Sequence, residues 1–575
     1  MQVSGFNGIW TTVAATAILT LFCFRVYSFQ PREFFDFYHD DAIYFTTAKA
    51  LAAGQGYIIP SFPGVLPQTK YPVLYPLMLA LIWRIWPAYP ANLGPAVAMS
   101  IAIAGIYLAL GYLFLRRAGL TTPVSLGIVA VIALHPGLSF LAGNLLSDYL
   151  FAVLILASAM AADEMCNASE HDWRWGPITG LLLGLAMLVR SAAIGAVAGI
   201  LLYGVQRRRW RAVATLAGTC TVIVLAVGLT TRLTFPPYVA AGVGIPPVGF
   251  QHVLAYYSSY LGMWMLSVPR WSILGSMLWD NLRKLMLAPG NYFIMGGFSL
   301  PRNLITTGLA LLLSTLSVGG AMRLYASSRR RAILFIFTGS LPVLLFWNYP
   351  IYDRFLLPFI PLILLGIVVE LRRITSLLSF VAQTGDTINR IVAIPVAITL
   401  LVVIMLSGYN YWHYGQDLTI LSRHRAALNR ERREGYDWIT RNTPASARVL
   451  AYEDGLVYLY TGRQAIRPVT ITTDCYYQPE RPKCASDFSE MGSWTAYVGA
   501  RYWLTDTDDL EFEGERRFRP EVRQHIADLK SRMHPVFVSS SASVIVYDTT
   551  CLINSSDPNC KRQPETYSSQ QGPGR

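Results

Sequence analysis

Two adjacent carboxylates, Asp40 and Asp41, follow His39 in the aromatic stretch Phe34-Phe35-Asp36-Phe37-Tyr38-His39-Asp40-Asp41-Ala42-Ile43-Tyr44. One of them could take a proton from an acceptor hydroxyl as a general base, and the pair with His39 could hold a divalent cation such as Mg or Mn. The ordinary alternative is a helix cap beside a solvated neighbour. Next to a bilayer, two carboxylates are costly unless they are hydrated, paired or functional. Spacing alone does not choose between these readings.

Four further charged residues stand where apolar blocks begin or end, or near them: Lys70, Asp148, Arg190 and Arg354. Guanidinium presents a planar fork to an anion and lysine a point charge, while an aspartate accepts hydrogen bonds from hydroxyls. Each has a plainer reading as a snorkelling lysine, an arginine marking a helix end, or a capping aspartate. His39 is of a kind with most surface histidines, and no zinc-ligand spacing occurs.

The elements that must position these residues follow from hydropathy. Asp40 is placed to cap a helix running to about Ala53, with Gly54 ending it, so that Tyr44, Ala48 and Leu51 share one face. Such a helix is expected to lie along the membrane surface, its aromatics at headgroup level. The stretch 74–86 is read as a second interfacial or dipping helix, which makes 29–93 a first outer loop.

The rest of the chain is built to face lipid. It is 53% hydrophobic and 14% charged, too few charges to clothe a soluble protein of 575 residues. Its apolar blocks approach the roughly 20 residues that carry a helix across about 30 Å of hydrocarbon. Eleven spans are expected: 9–24, 95–115, 124–141, 149–162, 176–188, 191–205, 212–231, 304–322, 332–347, 355–369 and 391–407. The first lacks a basic flank and a small-residue cleavage pattern, and reads as a retained anchor.

The formal charge of +13 comes largely from arginines in short loops. That is a topology signal, and nucleic acid is not an expected partner. With the N-terminus cytoplasmic, Arg116 and Arg117, then Arg207 to Arg209 with Arg211, then Arg323 with Arg329 to Arg331, then Arg372, Arg373 and Arg390 all fall inside. This requires 176–205 to be a tight hairpin with Arg190 near the outer surface, and it leaves 163–175 as an acidic inner loop against the rule.

Odd parity sends the remainder outside. Residues 411–554 are polar and mix strand and helix patterns, with strands expected at 448–452 and 544–547 and a helix at 453–460. Cys475, Cys484, Cys551 and Cys560 lie there, an even number suited to two disulfides, with the short-range pairs 475–484 and 551–560 favoured. Residues 555–575 read as a disordered tail. Another long outer loop, 233–303, carries Tyr256-Tyr257-Ser258-Ser259-Tyr260 and an amphipathic candidate at 271–287.

The order Asp40-Asp41-Ala42-Ile43-Tyr44, Gly54-Gln55-Gly56-Tyr57, Tyr71-Pro72, Tyr75-Pro76-Leu77, Leu145-Leu146-Ser147-Asp148, Leu188-Val189-Arg190-Ser191 and Tyr352-Asp353-Arg354-Phe355-Leu356-Leu357-Pro358 resembles the GT-C superfamily. Within it, the order looks most like protein O-mannosyltransferases and aminoarabinose transferase-like enzymes. The similarity covers about residues 1–410. It departs at Val73, where the family often has a second Pro, and at Ser191, where Pro is common.

The resemblance implies an α-helical polytopic GT-C-like domain at 1–410 with an extracytoplasmic α/β domain after it, in a bacterial inner or plasma membrane. It implies a glycosyltransferase that moves a hexosyl or pentosyl unit from a polyprenyl-phosphate sugar to a glycan, lipid or protein acceptor in contact with membrane lipids. Asp40 then matches the base and Asp41 its support; Lys70, Arg190 and Arg354 would meet the donor phosphate, and Asp148 and Tyr44 would position sugar or acceptor. A non-catalytic transporter or lipid flippase, or a degenerate GT-C assembly subunit, is the competing reading. A transporter would be marked by charged residues or broken helices at mid-membrane.

Overall fold

The computed structural model describes residues 4–29, 38–167, 173–267 (except 234, 236, 237 and 243), 270–294, 304–327, 330–348, 353–383, 387–468, 473–477, 491–507, 509 and 527–553. Side chains at 4–7, 232, 293–294, 353, 377–400, 403–404, 475–476 and 491 stand outside that description. The chain divides into two compact units. One comprises Met1–Ile58, Gln68–Pro236 and Val268–Ala427; the other comprises Ile59–Pro67, Pro237–Ser267 and Leu428–Arg575.

The first unit is helical. It holds α1 (Ser4–Phe29), α2 (Asp40–Ala52), α3 (Leu74–Ile85), α4 (Leu93–Arg117), α5 (Thr122–Leu134), α6 (Pro136–Ala142), α7 (Asp148–Asn167), α8 (Trp175–Val189), α9 (Ala193–Gln206) and α10 (Trp210–Leu233). After α11 (Val248–Ser258) and α12 (Tyr260–Ser267), which belong to the second unit, come α13 (Trp271–Ile294), α14 (Leu304–Ser327), α15 (Ala332–Leu345), a 3-10 helix (Asp353–Phe359) and α16 (Ile360–Gln383). Next, α17 (Thr387–Asn442) runs unbroken through the division at Ala427.

Among the described residues six helices, all or most of α1, α4, α7, α10, α14 and α16, are long and apolar enough to cross a bilayer. This is an integral membrane fold. The expected single span 124–141 is instead α5 and α6, bent by 69° at His135-Pro136. Pro136 cannot continue the α5 hydrogen-bond ladder, and the His135 ring accepts from Leu138 N to start α6. The expected spans 176–188, 191–205 and 332–347 are the shorter apolar helices α8, α9 and α15.

Small residues let these shorter helices pack backbone to backbone. A Cβ on Gly199 of α9 would stand 2.1 Å from the Phe335 carbonyl oxygen of α15, and one on Gly195 would stand 2.7 Å from that of Gly339. In hydrocarbon, where helices gain little from burying apolar surface against each other, such close van der Waals approach is a main source of association.

The hairpin at Arg190 is present. Arg190 follows α8 in extended conformation and meets Asp148 at the start of α7, whereas Arg207, just after α9, donates to Asn167 at the end of α7. The chain therefore doubles back beside α7. At that same far end Glu164 stands 4.0 Å from Arg117 and 3.9 Å from Arg330, and Asp163 accepts from Ala332 N at the start of α15. The acidic residues that seemed to offend the charge rule are the counter-ions and cap of the arginine clusters.

The second unit carries a five-stranded sheet of β3 (Arg448–Ala451), β4 (Gln464–Ile466), β5 (Tyr502–Asp506), β6 (His534–Val538) and β7 (Val544–Asp548), after the minimal pair β1 (Ile58–Ile59) and β2 (Leu66–Pro67). Its order is β4-β3-β5-β7-β6, with β3 parallel to β4 and β5 and with β7 antiparallel to its neighbours. Helix α18 (Asp454–Thr461) ends at Gly462, whose φ of 71° is the left-handed cap that glycine adopts without penalty. Residues of 59–67 line the edge strand β4: Ala465 N donates to Ser61 O, and the Gln464 amide bonds Gly64 O. Cys551 is disulfide-bonded, while the side chains of Cys475, Cys484 and Cys560 lie outside the described residues, as does the tail 555–575.

Candidate active site

Helix α2 does not begin as expected. His39 is its N-cap residue, at φ 59° and without a side-chain cap, and Asp40 is the first helical residue. Freed from capping, the Asp40 carboxylate turns to the rest of the first unit: Tyr71 Oη donates to Oδ1 at 2.5 Å and Arg354 Nη2 to Oδ2 at 3.1 Å. Nor is α2 a surface helix with one buried face. Residues Asp41 to Ala48 are all buried, and α3 packs against it. Gly54, at φ 71°, follows its end as the sequence suggested.

Asp41 points elsewhere. Successive helical residues are 100° apart, so two adjacent carboxylates cannot face one point. The Asp41 Oδ1 accepts from Ala42 N in a fully buried position. Among the described residues no three His, Cys, Asp or Glu side chains converge as a metal site, so the trio His39, Asp40 and Asp41 is not drawn together.

A second carboxylate takes Asp41's expected place beside Asp40. Asp148, at the start of α7, is 1% exposed, and its Oδ2 lies 3.0 Å from Arg190 Nη2 and 4.0 Å from Arg354 Nη1. Its Oδ1 is buried with no hydrogen-bond partner among the described residues. Arg190 Nε also donates to Ser147 Oγ, which shares a hydrogen bond with Tyr44 Oη at 3.0 Å. The result is a row of alternating charge: Asp40, Arg354, Asp148, Arg190.

Aromatic rings flank the row. Phe355 lies 5.6 Å from each guanidinium carbon, and Tyr38 lies 5.1 Å from that of Arg354. Tyr44 packs its ring on Tyr71 and Tyr75. Lys70 Nζ stands over the Tyr71 ring at 5.1 Å. Of the residues expected from the sequence, Asp40, Tyr44, Lys70, Asp148, Arg190 and Arg354 thus gather at one end of α7, while Asp41 is turned aside. Tyr71, Ser147, Tyr38 and Phe355 join them without having been singled out, though each stands in or next to a stretch that carried an expected residue.

The electrostatics follow from this geometry. Burial raises the Asp40 carboxyl, but Arg354, Lys70 and the Tyr71 hydroxyl outweigh it and hold Asp40 below its ordinary value of 3.8. Burial also pushes the Tyr44 hydroxyl well up, so it is a hydrogen-bonding group and not a source of charge.

No protein-family model matches the sequence, and no curated protein matches it. Solved structures do. ArnT from Cupriavidus metallidurans in the apo state aligns with a TM-score of 0.50 at 12% identity, over 96% of this chain and 99% of that one. The Archaeoglobus fulgidus oligosaccharyltransferase tethered to an acceptor peptide aligns with a TM-score of 0.50 at 10% identity, over 93% of this chain and 74% of that one. At such identities the likeness is one of fold alone.

Proposed function

We propose that this protein is a membrane glycosyltransferase that moves a sugar from a polyprenyl-phosphate donor to an acceptor hydroxyl at the outer membrane face. The observation that carries the reading is the Asp40 carboxylate, 14% exposed, set 3.1 Å from the Arg354 guanidinium. Glycosyl transfer from a lipid phosphate needs those two charges side by side: a base for the acceptor and a cation for the departing phosphate.

In this reading the acceptor oxygen attacks the anomeric carbon and its proton passes to Asp40. The bond from that carbon to the phosphate oxygen breaks, and polyprenyl phosphate leaves with the electron pair. Arg354 and Lys70 face the phosphate, and Arg190 adds its charge from behind Asp148. The Asp148 Oδ1, without a hydrogen-bond partner among the described residues, is suited to a sugar or acceptor hydroxyl, and Tyr44 orients Ser147 beside it. Asp41 supports the turn that aims Asp40.

An apolar cavity of about 240 Å³ suits the first isoprene units of the donor. It runs from Leu356 and Phe359 of the 3-10 helix that carries Arg354, past Phe337 and Ile363, to Met322 and Tyr325 toward the basic end. Placing the site outside the membrane rests on the arginine clusters, which sit at the opposite end of α7. The extracytoplasmic assignment of the C-terminal residues and their part in choosing a glycan, lipid or protein acceptor belong to the same proposal.

The bend at His135 is the one observation that favours a transporter. Both readings meet one experiment: purified protein, radiolabelled polyprenyl-phosphate sugars and membrane acceptors, wild type beside Asp40→Asn. Transfer by the wild type and a loss of 10²-fold or more in the folded variant are expected. Equal transfer by both would remove Asp40 as base. Movement of the lipid across vesicles without transfer would favour the transporter.

A further inference from the structure

Asp40 and the donor phosphate make the same demand on Arg354. Arg354 Nη2 holds Asp40 at 3.1 Å, and with 11% of the side chain exposed an incoming anion must approach the guanidinium close to that carboxylate. Asp40 is not its only neighbour. Asp148 at 4.0 Å, Tyr38 and Phe355 hold the guanidinium from its other sides. Asp40 has a second tether as well, the Tyr71 hydroxyl at 2.5 Å, so it need not move far when it loses Arg354.

We propose that Arg354 follows the negative charge through the reaction, holding Asp40 before proton transfer and the departing phosphate after it. This rests on the glycosyl-transfer reading and states how its base and its leaving-group cation are coupled. The balance is one charge for one charge. Asp40 gains the acceptor proton and becomes neutral as the phosphodiester donor, carrying one negative charge, becomes a phosphate monoester carrying up to two. The guanidinium loses its hold on one oxygen at the step that creates a stronger acceptor nearby. Because planar forks bind oxyanions bidentately, a small rotation of Arg354 suffices, and Asp148 keeps it in reach.

An asparagine at position 40 imitates the protonated aspartate. The full-length protein in detergent is titrated with a long-chain polyprenyl monophosphate, with the corresponding polyprenol as control, and folding is checked by thermal melting. Asp40→Asn is expected to bind the monophosphate about tenfold more tightly than wild type, and Asp40→Glu to bind like wild type. In the double variant with Arg354→Lys the gain is expected to vanish, since a point charge cannot replace the fork. Unchanged or weaker binding by folded Asp40→Asn, or a gain that survives Arg354→Lys, overturns the exchange and leaves the transfer reading standing. No binding of the monophosphate by the wild type overturns both.

Discussion

Two buried networks among the described residues are built from the same groups, and their difference lies in how far each is closed. In the second unit Arg432 is 1% exposed, bonded to Asp506 at 2.6 Å and close to Glu453 at 3.4 Å, with Asn429 taking a further N–H. Every partner there comes from the chain, and burial with Asp506 pushes the nearby Asp509 carboxyl well up. In the first unit Asp40, Arg354 and Arg190 each keep 11% to 14% of the side chain exposed, and one Asp148 oxygen has no hydrogen-bond partner among the described residues. The closed network is fitted to hold a fold. The open one keeps charges paired while leaving room for another anion or hydroxyl.

The comparison can be broken by substitution. Asp40→Asn is expected to have the largest effect, a loss of 10²- to 10⁴-fold in transfer with little change in melting temperature. Arg432→Ala should do the reverse. It strands Asp506 and Glu453 in a closed interior, at a cost of roughly 3–5 kcal/mol, with polyprenyl monophosphate binding retained under conditions where the protein stays folded. Thermal unfolding and lipid titration of the same samples would separate the two.

Asp148→Asn should sit between these extremes, since it removes the anion that Arg190 and Arg354 share. We expect a loss of roughly 2–3 kcal/mol in stability together with weaker phosphate binding, because Arg354 is no longer anchored. A variant that lost activity but kept wild-type affinity and stability would place Asp148 on the sugar and not on the arginines.

The smallest effect concerns pH. Asp40 is held below 3.8, so its pairing with Arg354 stabilises the fold above that value and is lost only as pH falls further. The difference in melting temperature between wild type and Asp40→Asn should stay flat from about pH 8 to pH 5. A wild-type midpoint near pH 6 that disappears in Asp40→Asn would contradict the pairing.

Much of this was written in the chain. Span lengths and arginine spacing announced the membrane fold, the doubling back at Arg190 and the gathering of basic loops at one end of α7, because hydropathy and charge act locally and need no partner to be read. The strand at 448–452, the following helix and the strand at 544–547 were visible for a similar reason, as short alternating or helical patterns. For the acidic pair, spacing alone located both carboxylates, and their roles as base and support came from the family resemblance.

Tertiary structure decided which carboxylate faces the site. A helix begun one residue earlier than expected turns Asp40 to Tyr71 and Arg354 and sends Asp41 into the core, a consequence of the 100° step between neighbours. The bend at His135 and the burial of α2 on all sides depend likewise on contacts between distant segments, His135 with the Tyr292 carbonyl and α2 with α3. Composition therefore determined that the chain lives in a membrane and carries charges at the ends of its helices. Only packing decided that four of those charges, Asp40, Arg354, Asp148 and Arg190, from four separate stretches of sequence, stand in one alternating row, because Coulomb partners are chosen by distance in space and not along the chain.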